Sequence, residues 1–341
     1  MQNRQKGDKV KILILGGAGM IGRKLIEKLI ADRDLLASTD ELFLHDVVMP
    51  QAPPGHENTT LLSGDITSAE QTEQLAAIKA DIVFHLASIV SGEAEEKFDK
   101  GWSINMRGGW ALLEALRAQH EKSAGSYRPK VIFASSIAVF GPPFPDAIND
   151  DFLCAPQTSY GAQKASIEML VADYARKGFI DGMSIRFPTI CVRPGKPNLA
   201  ASGFFSGIIR EPLNGIEAIL PVDPSVRHWH ASPRSAAHFL VHAASLDESA
   251  LGTRRALNMP GLSCTVEEQI EALREVAGEK VVSLIKPQPD EHIKKILADE
   301  IIHGKLVDGG HVKVDVKDEK IIFNYKKFSK SEKPEKVLGK N

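Results

Sequence analysis

Residues Lys11–Gly22 read KILILGGAGMIG. An apolar run, Ile12–Leu15, stops in glycines, and an amphipathic helical pattern begins directly after them. The stretch is therefore a strand, a tight turn and a helix N-terminus. Gly16, Gly19 and Gly22 recur every three residues, and Gly17, Gly19 and Gly22 also fit G-x-G-x-x-G. Such a turn needs backbone angles that other residues resist, and side chains there would keep a pyrophosphate away. An anion seated against Gly16, Gly19, Met20, Ile21 and Gly22 meets free N–H groups at the positive end of the helix dipole. A position between strand and helix favours a nucleotide-binding turn over a plain Gly-rich bend.

Outward from this turn, strands and helices alternate. Val10–Leu15, Glu41–Asp46, Thr59–Leu62, Asp81–Ala87 and Lys130–Ser135 read as strands. Helical patterns cover Ile21–Ala31, Ser68–Lys79 and Trp102–His120, and a polar stretch runs from Ser88 to Lys100. Strands separated by single helices make βαβ units, so the expected fold is α/β, a Rossmann-type doubly wound parallel sheet. From Pro188 the alternation loosens, as expected of a smaller C-terminal substrate lobe. Short helices are expected at Gly203–Arg210 and Pro233–Leu246, extended pieces at Ala218–Pro221, Arg227–His230 and Arg255–Met259, and a helix at Val266–Ala277 introduced by Thr265. His238 and His242 read as structural residues on an apolar helical face. The expected divisions are 9–187 for the cofactor domain, 188–297 for the lobe, 298–325 for an extension and 326–341 for a disordered Lys-rich tail.

Asp46 ends the second strand, 24 residues beyond Gly22. A carboxylate there accepts the ribose hydroxyls of an adenosine and repels the extra phosphate of NADP, and Val47–Glu57 holds no Arg or Lys to offset it. NAD is the expected cofactor. Asp65 and Ile66 follow the third strand on the adenine side, and Ala87 and Ser88 follow the fourth at the same edge.

Bulk composition narrows the rest. At 25% charged residues and a net charge of −2, nothing marks a nucleic-acid surface. No apolar run approaches membrane-spanning length, and MQNRQKGDK lacks the apolar core of a signal peptide. Cys154, Cys191 and Cys264 are scattered without ligand spacing, which reads as thiols in a reducing cytoplasm and no metal site.

Tyr160 and Lys164 lie four residues apart at the start of a strong helix, on one face. A free tyrosine titrates near pH 10, and lowering it by about 3 units costs about 4 kcal/mol, which a nearby ammonium and a cationic nicotinamide can supply. Ser136 sits at a strand's carboxyl end, from which its hydroxyl can hold a substrate oxygen.

These residues resemble the extended short-chain dehydrogenase/reductases, the group that includes sugar-nucleotide epimerases and dehydratases. The resemblance is carried by GGAGMIG (16–22), Asp46, GDIT (64–67), HLAS (85–88), Asn105, SSIAVFG (135–141), YGAQK (160–164) and RFPT (186–189). It implies that Ser136, Tyr160 and Lys164 are catalytic, that Asn105 organises the active-site hydrogen bonds, and that Pro188 and Thr189 lie beside the nicotinamide. It also implies a homodimer paired through the helices at 102–120 and 158–177. Within that family, SIVSGEAE (88–95), FPTICVRPGKPN (187–198) and RHWHASPR (227–234) resemble the D-erythronate dehydrogenase group, which oxidises a four-carbon sugar acid at C2 with NAD.

A small acidic substrate wants an arginine fork in a partly dry cleft. Arg227 matches the arginine that holds a substrate phosphate in the sugar-nucleotide relatives and is the first candidate; Arg193 is the second. Either can instead pair with a local acid. Ser91 and Thr189 are placed to bond sugar hydroxyls, and Trp229 serves either the substrate or the lobe core. Two other readings stay open: a nucleotide-sugar epimerase or dehydratase, and a non-catalytic NAD-sensing module. The segment 298–325 resembles the C-terminal end of a Clp-type AAA+ chaperone subunit, with a helix, a Gly-rich turn and a two-stranded ribbon. No G-x-x-x-x-G-K-[ST] accompanies it.

Overall fold

The computed structural model describes residues 9–288 apart from 34, 38–39, 197–199 and 201, together with the backbone of 310–317 and 320–327. The described residues fall into two compact units, one running to Ala218 and resuming over Asp223–Ile285, the other comprising Ile219–Val222 and the chain from Lys286 onward.

The first unit is built on a seven-stranded parallel sheet. Its strands are β1 (Lys11–Leu15), β2 (Glu41–Asp46), β3 (Thr59–Ser63), β4 (Ile82–His85), β5 (Lys130–Ser136), β6 (Asp181–Phe187) and β10 (Ala256–Asn258). Their spatial order is β3-β2-β1-β4-β5-β6-β10, so the direction of winding reverses between β1 and β4. In an open α/β sheet the crevice outside that reversal is where a nucleotide binds. Helices cover both faces, which is why the strands read as nearly unbroken apolar runs.

Alternate residues of β1 feed two cores. Ile12 and Ile14 pack with Leu25 and Leu29 of α1 (Met20–Asp32) and Leu240 of α8 (Pro233–Ser245). Leu13 and Leu15 face Leu75 of α2 (Ala69–Ala77), Leu112 and Leu116 of α5 (Gly109–Lys122), and Ile167 and Val171 of α6 (Ser159–Arg176). Each fully buried side chain of this kind contributes about 1.5–3 kcal/mol.

The expected helix over Trp102–His120 begins otherwise than its pattern implied. The polar stretch before it folds into α3 (Ser91–Glu96) and α4 (Phe98–Gly101), and Trp102–Gly108 is a π-helical turn leading into α5. Glycines permit the close approach: a Cβ on Gly101 would lie 2.6 Å from Gln163 Nε2, and one on Gly108 3.0 Å from Ile66 Cγ1. The wider turn aims Asn105 inward.

Beyond β6, a three-stranded sheet joins β7 (Thr189–Ile190), β9 (Arg227–Ala231) and β11 (Leu262–Thr265) in the order β11-β9-β7. Helix α7 (Gly203–Leu213) and α9 (Val266–Ala277) belong to the same unit. Thr265 caps α9 in a full capping box with Glu268. The reading of His238 and His242 as residues of an apolar face is corrected: both are exposed on α8, whose buried stripe is Ala236, Ala237, Leu240, Val241, Ala243 and Ala244.

The second unit contains most of a two-stranded sheet, β8 (Ala218–Leu220) with β12 (Ile285–Pro287). An antiparallel ribbon follows, β13 (Gly310–Lys317) against β14 (Lys320–Lys327), where a two-stranded ribbon was expected. The last residues of the expected lobe (289–297), the helix and turn expected before the ribbon, and the tail from 328 onward lie outside the described residues.

Candidate active site

At the winding reversal, Gly16 takes φ +90°, and a Cβ there would lie 2.8 Å from the Ala87 backbone nitrogen. A Cβ on Gly22 would come within 2.2 Å of the Gly16 carbonyl oxygen. The turn is closed by the N–H groups of Gly16 and Gly17, both donating to His45 O at 2.8 and 3.1 Å. The first helical bond of α1 is Arg23 N–H to Gly19 O at 3.0 Å, so Met20, Ile21 and Gly22 present N–H groups with no intrahelical acceptor. Asp46 accepts Ala18 N–H on Oδ2 at 3.0 Å and Val47 N–H on Oδ1 at 2.7 Å, which leaves a lone pair on each oxygen for a ribose hydroxyl. A bare glycine cradle, free helix N–H groups and a strand-end carboxylate fit a dinucleotide.

Other residues expected around the cofactor divide by exposure. Asp65 is exposed and accepts Thr67 N–H at 2.9 Å, while Ile66 is buried against Gly108. Ala87 and the exposed Ser88 continue from β4 toward the cleft, and Pro188 is buried between β6 and β7. Asn105 is buried, accepts Ile89 N–H at 2.8 Å, and donates to Ile89 O at 3.3 Å and Gln163 Oε1 at 2.8 Å. Its reach is thus to the loop carrying Ser88. Ser91 opens α3 and is partnered.

The serine, tyrosine and lysine meet at the end of β5. Thr158 N-caps α6 by accepting Gly161 N–H at 3.1 Å, which fixes the helix start at Ser159, one residue before Tyr160. Burial pushes the Tyr160 phenol up from its ordinary pKa, where the sequence suggests a lowered one; the nearby Ser88, Arg193 and Ser136 act against that rise. One turn deeper, Lys164 is 2% exposed and donates to Ala134 O at 2.8 Å. Its Nζ lies 4.7 Å from the Phe133 ring centroid and 5.5 Å from that of Tyr160. Burial pushes the lysine down to about 7, opposed by Glu168.

The two candidate arginines separate. Arg227 has a side chain 55% exposed, paired with Glu268 at 3.4 Å and bonded to Ser263 O at 3.1 Å. Arg193 is part-buried and near enough to Tyr160 to bias its phenol; its Nε donates to Ile190 O at 3.0 Å and Nη2 to Ser202 Oγ at 3.1 Å. Among the described residues Arg193 has no carboxylate partner, and burial lowers its pKa.

Thr189 is joined to His228 through Oγ1 and Nε2 at 2.7 Å. The imidazole stacks on Phe205 at 4.5 Å and 15°, and burial, with His230 second, pushes it down to about 4, so it is neutral at physiological pH. Trp229 packs against Gly261, where a Cβ would lie 2.5 Å from its Nε1.

Fold, glycine turn and strand-end carboxylate together define an NAD-dependent oxidoreductase. The chain belongs to the NAD dependent epimerase/dehydratase family, whose pattern matches residues 12–230. It is 42% identical to a D-erythronate dehydrogenase of Cupriavidus necator over 84% of this chain and 88% of that one. A D-erythronate dehydrogenase of Haemophilus influenzae is 39% identical over 85% and 89% of the two chains. Among solved structures, one described as the nucleoside-diphosphate-sugar epimerase from Agrobacterium tumefaciens is 51% identical, with a TM-score of 0.79 over 87% of this chain and 88% of that chain. No helix of the described residues is long and apolar enough to cross a membrane.

Proposed function

We propose that the chain oxidises the C2 hydroxyl of a short sugar acid, D-erythronate to 2-dehydro-D-erythronate, with NAD as acceptor. The observation that carries this reading is Arg193, a part-buried guanidinium close enough to the Tyr160 phenol to act on its charge and without a carboxylate partner among the described residues. An arginine so placed suits a carboxylate one carbon from the reacting hydroxyl, because its fork binds both oxygens. Arg227, half exposed and already facing Glu268, suits it less. Similarity to two D-erythronate dehydrogenases supports the same substrate.

In this proposal Ser136 and Ser88 hold the reacting oxygen, Tyr160 removes the hydroxyl proton once a cationic nicotinamide bound beside it offsets the burial that raises its pKa, and Lys164 orients the nicotinamide ribose and offsets the phenolate charge. The bound nicotinamide supplies the hydride acceptor. Thr189, held by His228, and Ser91 line the sugar hydroxyls, and Asn105 keeps the Ser88 loop in place through Ile89. Substituting Tyr160 by Phe is expected to lower kcat by at least about a thousandfold while leaving NAD affinity within about threefold. Turnover surviving in that variant would refute the assignment.

The same triad serves an epimerase, and the 51% identical structure carries that description. There the hydride returns to substrate and no reduced cofactor accumulates, which separates the readings. The proposed location is cytoplasmic. The proposed assembly is a homodimer through α5 and α6, where Trp110 is 46% and Met169 67% exposed; a monomer in sedimentation of the full chain would contradict it.

A further inference from the structure

One buried cluster behind the site takes no part in the chemistry just described. Glu168 stands four residues beyond Lys164 and eight beyond Tyr160, so the three share one stripe of α6. Its carboxylate is 5% exposed and reaches two neighbouring strands at once. On β5 it accepts the Ser135 hydroxyl on Oε1 at 2.5 Å. On β6 it accepts Arg186 Nε at 3.1 Å on both oxygens and Arg186 Nη2 at 2.8 Å on Oε2. Ser135 and Arg186 are direct cross-strand partners, so one carboxylate binds a whole rung of the sheet. The next residue of β5 is Ser136. Arg186 extends the cluster to the loop after β5, through Nη1 to Asp150 O at 3.3 Å and Nη2 to Cys154 Sγ at 3.4 Å, and it lies over Phe140.

We propose that Glu168 is a positioning residue of the proton-transfer site: it staples the helix bearing Tyr160 and Lys164 to the strand end bearing Ser136, and it holds a negative charge behind Lys164. The inference rests on the proposed roles of Tyr160 and Lys164. The groups facing Lys164 are Tyr160 and Glu168 on its own helix, the Phe133 ring and Ala134 carbonyl on β5, and His85 on β4. Of these, Glu168 alone acts to keep the lysine charged, since burial raises the Tyr160 phenol and keeps His85 neutral. Arg186 and Cys154 face Glu168 from the far side. Removing a buried opposite charge lets burial dominate, so Lys164 loses its proton at lower pH.

The test reads the lysine directly, by NMR of carbon-labelled lysine ε positions in the full chain, with the Lys164 resonance assigned by Lys164→Arg. In the native chain its midpoint is expected near about 7. In Glu168→Gln it is expected to fall by about one pH unit, and kcat at neutral pH to fall about tenfold with KM within about twofold. Arg186→Lys keeps the charges and loses the fork; it is expected to loosen the cluster without moving the lysine midpoint. Glu168→Asp, which keeps the charge, is expected to restore most of the midpoint. Because Glu168→Gln strands a buried guanidinium and can fail to fold, the paired variant Glu168→Gln/Arg186→Met removes both charges and is expected to show the same downward shift. An unmoved midpoint in both neutralised variants, or an equal shift in Arg186→Lys, would overturn the proposal. The lysine titration is read without turnover, so it decides this point even if Tyr160→Phe were to remain active.

Discussion

The two ends of the active cleft prepare for an anion by opposite means. At the glycine turn between β1 and α1 the chain offers backbone: φ +90° at Gly16 and N–H groups over Met20–Gly22 with no intrahelical acceptor. At the edge proposed for the substrate, after β7, it places a part-buried arginine, Arg193, tied by Ile190 O and Ser202. The difference follows from chemistry. A dinucleotide's pyrophosphate lies along the chain and suits a row of N–H groups and a helix dipole. A small carboxylate offers two oxygens in one plane and suits a guanidinium fork. One edge is specified by what must be absent, the other by a guanidinium that, among the described residues, is tied to neutral groups and to no carboxylate.

The sharpest break of that contrast is Gly22→Ala. Its Cβ would fall 2.2 Å from the Gly16 carbonyl, a backbone atom that cannot move aside without pushing α1 off the turn. NAD affinity, measured by calorimetry, is expected to fall by at least about a hundredfold. Affinity within about threefold of native would mean the turn does not seat the cofactor.

Next in size is the arginine proposed to hold the substrate carboxylate. Arg193→Met is expected to lower kcat/KM for a tetronate by about a hundredfold with NAD affinity unchanged, in line with about 3 kcal/mol for a charge-assisted pair. Arg227→Met, at an exposed residue already facing Glu268, is expected to change kcat/KM by less than about threefold. The reverse ranking would return the carboxylate to Arg227.

A smaller effect concerns stability. His85 lies at the cofactor edge beside β1, with both ring nitrogens buried and unpaired, and burial pushes it down to about 3, with Lys164 and then His45 adding to the fall. The unfolded chain takes up a proton near pH 6.5 and the folded chain does not, so stability falls as pH drops from about 6.5 toward about 3. His85→Phe is expected to remove about 2 kcal/mol of the loss between about pH 7 and pH 5, seen as a flatter Tm against pH. An unchanged slope would show that His85 is not the titrating group.

The same contrast explains what could be read from the chain before its structure. The parallel sheet, the glycine turn and Asp46 were legible because each depends on local pattern: apolar runs, glycines at fixed spacing, a carboxylate at a strand end. The meeting of Ser136 with Tyr160 was also open to inference, from a strand end and a helix start. The choice between Arg193 and Arg227 was not, because it turns on Glu268, 41 residues beyond Arg227. The π-helical turn at Trp102–Gly108 was hidden for a similar reason: its glycines answer to Ile66 and Gln163 across the fold. Ser88 reads from the sequence as a cofactor residue, yet it also acts on the Tyr160 phenol, holding back the rise that burial causes. Glu168 passed unnoticed although its spacing from Lys164 was a usable signal, since a carboxylate on a helix is ordinarily solvated.

The most direct measurement is the absorbance of reduced cofactor when the native chain is mixed with NAD and a panel of tetronates. NADH is expected to accumulate in proportion to D-erythronate consumed, with a keto acid as the other product. No NADH from any tetronate, together with interconversion of nucleotide sugars at constant NAD, would contradict the proposed reaction and establish the epimerase reading in its place.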